Sequence, residues 1–255
     1  MALAMSIAAL TAIAGCDIWR PPAPTPEELD RGLVVLYPGS LNSVVEMAGF
    51  YNGLRAGGVD QAVEIIPWSG PDEHFYVPNF LEHNRDRWVA EARRIAEYSA
   101  AHPGAPITLL GYSGGALTCI RVAEEMPLGT AVDCVIMMSP GVWRYYDLTA
   151  MLEKVSQGVV VYWSPNEHSL NWLISWAGTA DQVFTDPANS SGFATEHEKL
   201  RQYMWGPEFA RYGNNGEHFE YYLSVPWIAE FVTPWIAHGP AAVVRRVGGE
   251  YGPAS

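Results

Sequence analysis

Residues 109–119 read LLGYSGGALTC and contain the pattern Gly-x-Ser-x-Gly. An apolar run typical of a strand enters the pattern, and a run typical of a helix leaves it. A sharp strand-to-helix turn holds its central serine in a strained backbone conformation and exposes the hydroxyl above the sheet. Gly111 and Gly115 leave room for the helix to pass close to the strand. The stretch therefore predicts that Ser113 is a nucleophile beside the free N–H groups of a helix start.

Strand and helix patterns alternate on both sides of this turn. Apolar runs predict strands at LVVLY (33–37), QAVEIIPW (61–68), ITLLGY (107–112), CVIMMS (134–139), VVVYW (159–163) and QVF (182–184). Segments with helical spacing lie between them, the clearest being residues 43–54, 83–102 and 228–236. Continuous apolar strands separated by helices predict the α/β class, with a mostly parallel sheet of about six strands covered on both faces.

Composition limits the classes of partner. The chain has 255 residues, 49% of them hydrophobic, which is enough for one sizeable core. Fifteen Lys and Arg against 28 Asp and Glu give a net charge of -13, which argues against nucleic acid as the main partner. Cys119 and Cys134 lie in apolar segments, where buried thiols are favoured over a disulfide. No spacing of Cys and His predicts a zinc site.

The first sixteen residues, MALAMSIAALTAIAGC, contain no charge and are too short for a comfortable membrane span. They predict a signal peptide, with a buried helix as the alternative. The end of the run, residues 13–16, resembles the lipobox of bacterial lipoproteins. That resemblance implies a lipid-modified Cys16 and a protein anchored in the bacterial cell envelope, on the periplasmic or extracytoplasmic side. The Pro-rich residues 17–30 then predict an extended tether, and residues 31–255 the folded domain.

With its serine turn, the sequence resembles the α/β-hydrolase superfamily over residues 33–236. The resemblance implies an oxyanion hole made by the N–H of the residue after the nucleophile and by a second N–H from the loop after the first core strand. The first would be Gly114. The second, in LYPGSLNS, would be Ser40 or Leu41.

The superfamily orders its triad as nucleophile, acid and histidine, so the base is expected late in the chain. His218 in NNGEHFEYY follows the last predicted strand in a Gly and Asn loop, and we assign it as the base. His168, His197 and His238 are the other histidines considered, and the polar sequence around His197 and the position of His238 after the last helix favour solvent exposure.

The acid is expected after a strand. Glu167 in SPNEHS follows VVVYW, where the superfamily commonly places an Asp or Glu, and it is our first choice. Asp147 in RYYDLT and Asp181 in GTADQ are the alternatives. Glu keeps the carboxylate of the commoner Asp but lengthens its reach.

The resemblance implies a serine hydrolase, of the carboxylesterase or lipase kind, that cleaves a small-molecule ester or related acyl bond through an acyl-enzyme. No metal or organic cofactor is required. The connection between CVIMM and VVVYW is too short for a large cap domain, so aromatic residues in 67–80 and 185–213 would cover the site, unless they only pack in the core. The alternative is a catalytically idle fold that serves as an envelope binding or scaffold protein. A dinucleotide-binding domain is disfavoured because no glycine fingerprint follows the first strand.

Overall fold

A computed structural model describes residues 19–40, 42–68, 80–240, 243–245 and 251–253. The predicted signal peptide with Cys16, the oxyanion candidate Leu41 and most of the aromatic segment 67–80 lie outside these ranges. They remain predictions from the sequence.

A parallel sheet of six strands forms the centre of the fold. Its strands are β1 (Leu33–Tyr37), β2 (Ala62–Ile65), β3 (Ile107–Tyr112), β4 (Val132–Met138), β5 (Val155–Trp163) and β6 (Leu200–Met204). They lie in the order β2-β1-β3-β4-β5-β6, and all five pairings are parallel. The predicted α/β class and strand number are confirmed. Because β3 is an inner strand, the serine turn at its end is surrounded by neighbouring strand ends.

Helices cover both faces of the sheet. They are α1 (Pro26–Arg31), α2 (Met47–Ala56), α3 (Phe80–Ala101), α4 (Gly115–Glu124), α5 (Thr149–Glu153), α6 (His168–Ala177), α7 (Ala188–Ser191), α8 (Glu220–Leu223), α9 (Val225–Trp227) and α10 (Thr233–His238). A 3₁₀ turn at Pro207–Tyr212 precedes α8, and a π turn at Ile228–Val232 joins α9 to α10. A short antiparallel pair, β7 (Val243–Arg245) and β8 (Tyr251–Pro253), follows.

Alternate side chains of the strands enter two separate apolar cores. On one face, Val35 and Leu109 pack with residues of α3 and α4, including Trp88 and Ile120. On the other face, their chain neighbours pack with α2 and the C-terminal helices, including Phe50, Trp227 and Trp235. Burial on both faces explains why the strands are almost continuously apolar. It also holds the strand ends in a rigid frame for the site.

Two segments differ from the predictions. The sixth strand is β6 in LRQYM (200–204), whereas QVF (182–184) forms an irregular turn. β6 lies at the sheet edge and is only partly buried, so it contains polar residues. A search for apolar runs therefore did not detect it. In addition, residues 26–30, the end of the predicted tether, belong to α1, which has a Thr25–Glu28 capping box. Glu28 also pairs with Arg55 at 2.7 Å, which attaches this helix to the domain.

Within the described ranges, no helix combines the length and apolar character needed to cross a bilayer. Cys119 and Cys134 are buried free thiols, as the sequence favoured. Burial raises the pKa of the Cys119 thiol well above its ordinary value, so it is an unreactive part of the core.

Candidate active site

Ser113 occupies the sharp turn between β3 and α4. Its φ of 52° lies in the left-handed region, which is uncommon for a residue other than glycine. The turn is held by the Ser113 N–H, which donates to the Met138 carbonyl at 2.9 Å, and by the Gly141 N–H, which donates to the Ser113 carbonyl at 3.1 Å. Strain at a position that neighbouring hydrogen bonds hold in place is typical of a functional residue.

The glycines of the turn are required by close backbone approaches. A Cβ at Gly111 would overlap the Gly115 carbonyl, and a Cβ at Gly115 would overlap the carbonyls of Tyr37 and Pro38. Neither overlap can be relieved by moving a flexible side chain. The two glycines of the Gly-x-Ser-x-Gly pattern are therefore needed because α4 passes close to both β3 and the loop after β1.

The loop after β1 reaches the turn from the other side. A Cβ at Gly114 would lie 2.5 Å from Ser40 Oγ and 3.3 Å from Ser40 N. The two oxyanion candidates, Gly114 and Ser40, are thus backbone neighbours. Trp68 supports this loop, because its Nε1–H donates to the Pro38 carbonyl at 2.7 Å and its backbone N–H donates to Asn42 Oδ1 at 2.9 Å.

His218 and Glu167 form a buried pair. His218 Nδ1 lies 2.9 Å from Glu167 Oε2, although the two residues are 51 positions apart in the chain. Glu167 is completely buried and His218 is 6% exposed. Asn189 Nδ2 donates to the same carboxylate oxygen at 3.0 Å and so orients it. A carboxylate can only accept here, so an ionised Glu167 requires the proton on Nδ1 and leaves Nε2 free as a base.

Two further residues position the imidazole. Tyr112 stacks on the His218 ring with centroids 4.9 Å apart, and its hydroxyl donates to the His218 carbonyl at 3.1 Å. Burial, followed by the charges of Glu46 and Glu167, raises the pKa of Tyr112 well above its ordinary value, so this donor stays protonated. Ser139 Oγ lies 2.7 Å from His218 Nδ1.

Ser113 and His218 approach the same end of the sheet without a direct bond. Ser113 immediately follows Tyr112, on whose ring His218 stacks. Among the described residues, the polar partners of the imidazole are Glu167 and Ser139, both at Nδ1, and Ser113 Oγ is not one of them. Catalytic hydrogen bonds are often long before substrate binds and tighten in the substrate complex.

The alternative candidates lie elsewhere. Asp147 is exposed and accepts the Thr149 N–H at 3.0 Å. Asp181 accepts the Trp143 N–H at 2.9 Å and the Thr179 hydroxyl, so it holds a loop. The side chains of His168, His197 and His238 are all exposed. No grouping of three potential His, Cys, Asp or Glu metal ligands occurs in the described part of the chain.

Aromatic residues predicted as cover are mostly packing residues. Phe193 and Phe209 are buried, and Tyr203 and Trp205 pack against the core that faces α2. The exposed aromatic pair near the acid is instead Trp172 and Trp176 on α6, the helix that begins directly after Glu167. Helical periodicity could have predicted that these two rings lie one turn apart on α6. It could not have predicted that they are exposed, because large apolar side chains usually face the core.

Sequence reasoning missed Ser139, Asn189 and Glu46. Ser139 directly follows β4 and has a φ of 50°, so its place at the carboxyl end of a predicted strand was an available signal. Asn189 is in α7, which has no apolar pattern. Glu46 was hidden within the predicted amphipathic segment 43–54, where a carboxylate is expected to face solvent.

Comparison with known structures identifies the architecture. No protein-family model matches the sequence, and no curated protein matches it. Solved structures that resemble the chain include a predicted CIB-like hydrolase from Thermoplasma acidophilum, 14% identical, with a TM-score of 0.50 over 84% of this chain and 88% of the other. Another is lipase B of Aspergillus fumigatus, 12% identical, with a TM-score of 0.50 over 82% of this chain and 53% of the other. This chain has the α/β-hydrolase fold. At these identities, the likeness to the hydrolase and the lipase is one of fold.

Proposed function

We propose that the protein is a serine hydrolase that cleaves a carboxylic ester or a related acyl bond of a small molecule. The observation that supports this most is the buried Glu167–His218 pair at the carboxyl end of the sheet, where Ser113 occupies a strained turn. Nucleophile, base and orienting carboxylate are the parts that acyl transfer needs. Fold alone would not support an activity, since one fold hosts many functions.

In this mechanism, Ser113 Oγ attacks the acyl carbonyl carbon while His218 Nε2 takes the hydroxyl proton. The carbonyl π electrons move to oxygen and return as the C–O bond of the leaving group breaks, with His218 giving the proton to that group. Water, activated by the same imidazole, then releases the acyl chain and restores Ser113. Glu167 orients the imidazole and stabilises its positive charge. The N–H groups of Gly114 and of Ser40 or Leu41 bind the developing oxyanion.

The first test is labelling of the purified chain with a fluorophosphonate probe, together with hydrolysis of short and long p-nitrophenyl esters. We expect labelling and turnover in the natural protein, and neither in Ser113→Ala with an unchanged circular dichroism spectrum. Labelling that persists in Ser113→Ala would move the nucleophile elsewhere. If Ser113 is confirmed as the nucleophile, the dependence of kcat/KM on acyl length defines the substrate class.

A catalytically idle fold is the second candidate, and the lack of a Ser113–His218 hydrogen bond favours it. In that case the protein would act as an envelope binding or scaffold protein. A folded natural protein that neither labels nor turns over any ester would support this candidate and contradict hydrolysis.

We also propose that Cys16 is lipid-modified and anchors the protein in a bacterial cell envelope. The support is the uncharged residues 1–16, which end in a sequence similar to a lipobox. Mass spectrometry of the membrane fraction should find a diacylated Cys16 at the new N-terminus, and Cys16→Ala should abolish it. A chain that retains Met1 and carries no lipid would contradict the anchor.

A further inference from the structure

A second carboxyl group, that of Glu46, lies close to the site and has no part in the mechanism above. Glu46 precedes α2 and is only 6% exposed. One of its oxygens, Oε2, is buried and has no hydrogen-bond partner among the described residues. A buried carboxyl without a cation beside it is costly, and its presence in a well-packed site calls for a physical role.

The position of Glu46 connects it to the oxyanion loop. Gly39, in the loop after β1, lies beside its carboxyl group. A Cβ at Gly39 would lie 3.4 Å from Glu46 Oε2 and 3.3 Å from the Tyr112 ring, so loop, carboxyl and ring are in close contact. The next residue along the chain is Ser40, which borders Gly114. Glu46 therefore supports this loop from one side, while Trp68 binds Pro38.

The charge of Glu46 also acts on the imidazole. Among the described residues, the titratable groups that interact electrostatically with it are Tyr112 from β3, Tyr222 from α8 and His218 from the loop before α8. Burial raises the pKa of Glu46 from its ordinary 4.5 to about 7, although the charge of His218 and the nearby Gly39 backbone act to lower it. Burial and then Glu46 raise the pKa of Tyr222 to about 12, so both tyrosines are neutral when Glu46 titrates.

We propose that Glu46 is a positioning residue whose ionised carboxylate holds the Gly39–Ser40 segment as an oxyanion donor and stabilises the His218 imidazolium that forms during acyl transfer. The inference rests on the proposed hydrolase function. Glu46 exchanges its proton with solvent only, and the proton of the Ser113 hydroxyl still moves to His218 Nε2. Protonation of Glu46 removes both effects and therefore lowers activity.

This role has a distinctive pH dependence. Ser113 attacks when the imidazole is neutral and Glu46 is ionised, so protonation of either group opposes the reaction. The acid limb of log kcat/KM against pH is therefore steeper than a slope of one. A residue that only maintained the fold would change the rate by the same factor at every pH.

The test compares pH profiles of kcat/KM for the natural protein, Glu46→Gln, Glu46→Asp and Glu124→Gln. Glu124 is the matched control, because burial raises its pKa too but it lies at the far end of α4 beside Arg121. We expect Glu46→Gln to lower kcat/KM roughly 10-fold at pH 8 and to match the natural protein near pH 5.5, with an acid limb of slope one. Glu46→Asp should restore the steep limb, and Glu124→Gln should follow the natural profile.

The proposal would be overturned if the ratio of kcat/KM between the natural protein and Glu46→Gln did not change with pH. It would also be overturned if the two proteins had the same kcat/KM. If Glu46→Gln does not fold, the natural profile decides, because an acid limb with a slope of one overturns the proposal. Labelling of Ser113 separates the two hypotheses. Labelling and turnover with parallel profiles would reject the role of Glu46 alone, whereas a folded chain that never labels would reject hydrolysis itself.

Discussion

The two halves of the candidate site are built differently. The nucleophile side is a contiguous turn in which backbone contacts of Gly111 and Gly115 determine the geometry. The acid and base side joins Glu167, Asn189 and His218 from separate parts of the chain through buried side-chain hydrogen bonds. One side is therefore controlled by steric fit and the other by charge and hydrogen bonding. Substitutions on the two sides should fail in different ways, one in folding and the other in chemistry.

The largest effect is expected at Glu167. Glu167→Gln keeps the shape but removes the charge that orients His218, and an amide at this position favours the wrong tautomer. We expect kcat to fall by a factor of about 1,000 or more, with little change in the melting temperature. Steady-state ester hydrolysis measures the first, and thermal unfolding the second.

Asp181→Asn and Asp147→Asn are the controls for Glu167→Gln, and each should change kcat by less than about 3-fold, since neither carboxylate contacts the imidazole. The opposite ranking would move the acid to a different strand end.

Gly115→Ala should mainly affect folding. Its Cβ would overlap the backbone carbonyls of Tyr37 and Pro38, which belong to a buried strand end. We expect a loss of more than about 3 kcal/mol in the free energy of unfolding, measured with urea.

Gly141→Ala is the matched control, because its Cβ would make an ordinary contact 3.7 Å from Ser113 Oγ. It should fold normally and hydrolyse esters more slowly, since the methyl group narrows access to the nucleophile. Equal stability of the two variants would contradict the steric account of the turn.

The same contrast explains what the sequence could predict. The turn and the adjacent oxyanion candidate Gly114 are local, so LLGYSGGALTC and its flanking strands were enough to locate Ser113 and Gly114 at a strand-to-helix turn. Glu167 was chosen because it follows the strand signal VVVYW, and His218 because the superfamily order puts the base late in the chain; the strand predicted before His218, QVF, was wrong. Asn189 and Glu46 were missed because their contacts form only after folding brings distant segments together. Ser139, which contacts His218 across a separation of 79 positions, had a local signal in its place after β4 that was not used. β6 was missed because an edge strand needs fewer apolar residues than the inner strands.

Glu46 should also make stability depend on pH. The pKa of its buried carboxyl is raised from 4.5 to about 7, so the folded state retains a proton that the unfolded chain releases. The contribution of Glu46 to the free energy of unfolding is therefore complete below about pH 4.5 and is lost as the pH rises through about 7. That contribution is at most about 3 kcal/mol. Urea unfolding at pH 5 and pH 8 should show this difference in the natural protein and a smaller one in Glu46→Gln. Identical differences in the two proteins would mean that Glu46 does not titrate in this range.

The smallest effect is expected at Ser139, and its sign is informative. When Glu167 is ionised, its Oε2 can only accept, so Nδ1 carries the proton and Ser139 Oγ, at 2.7 Å, is a second acceptor for the same N–H. Ser139→Ala should then weaken the orientation of the ring and lower kcat/KM about 5-fold, with no loss of stability beyond about 1 kcal/mol.

If Ser139 instead donates to Nδ1, it stabilises the tautomer whose Nε2 is already protonated and cannot act as a base. Ser139→Ala would then raise kcat/KM. Such an increase would contradict the assignment of the proton to Nδ1. The Glu167→Gln result would then need reinterpretation, because its expected effect assumes the same proton position. The chemistry of the acid and base side thus depends on a single proton, whereas the turn at Ser113 depends on the absence of two methyl groups.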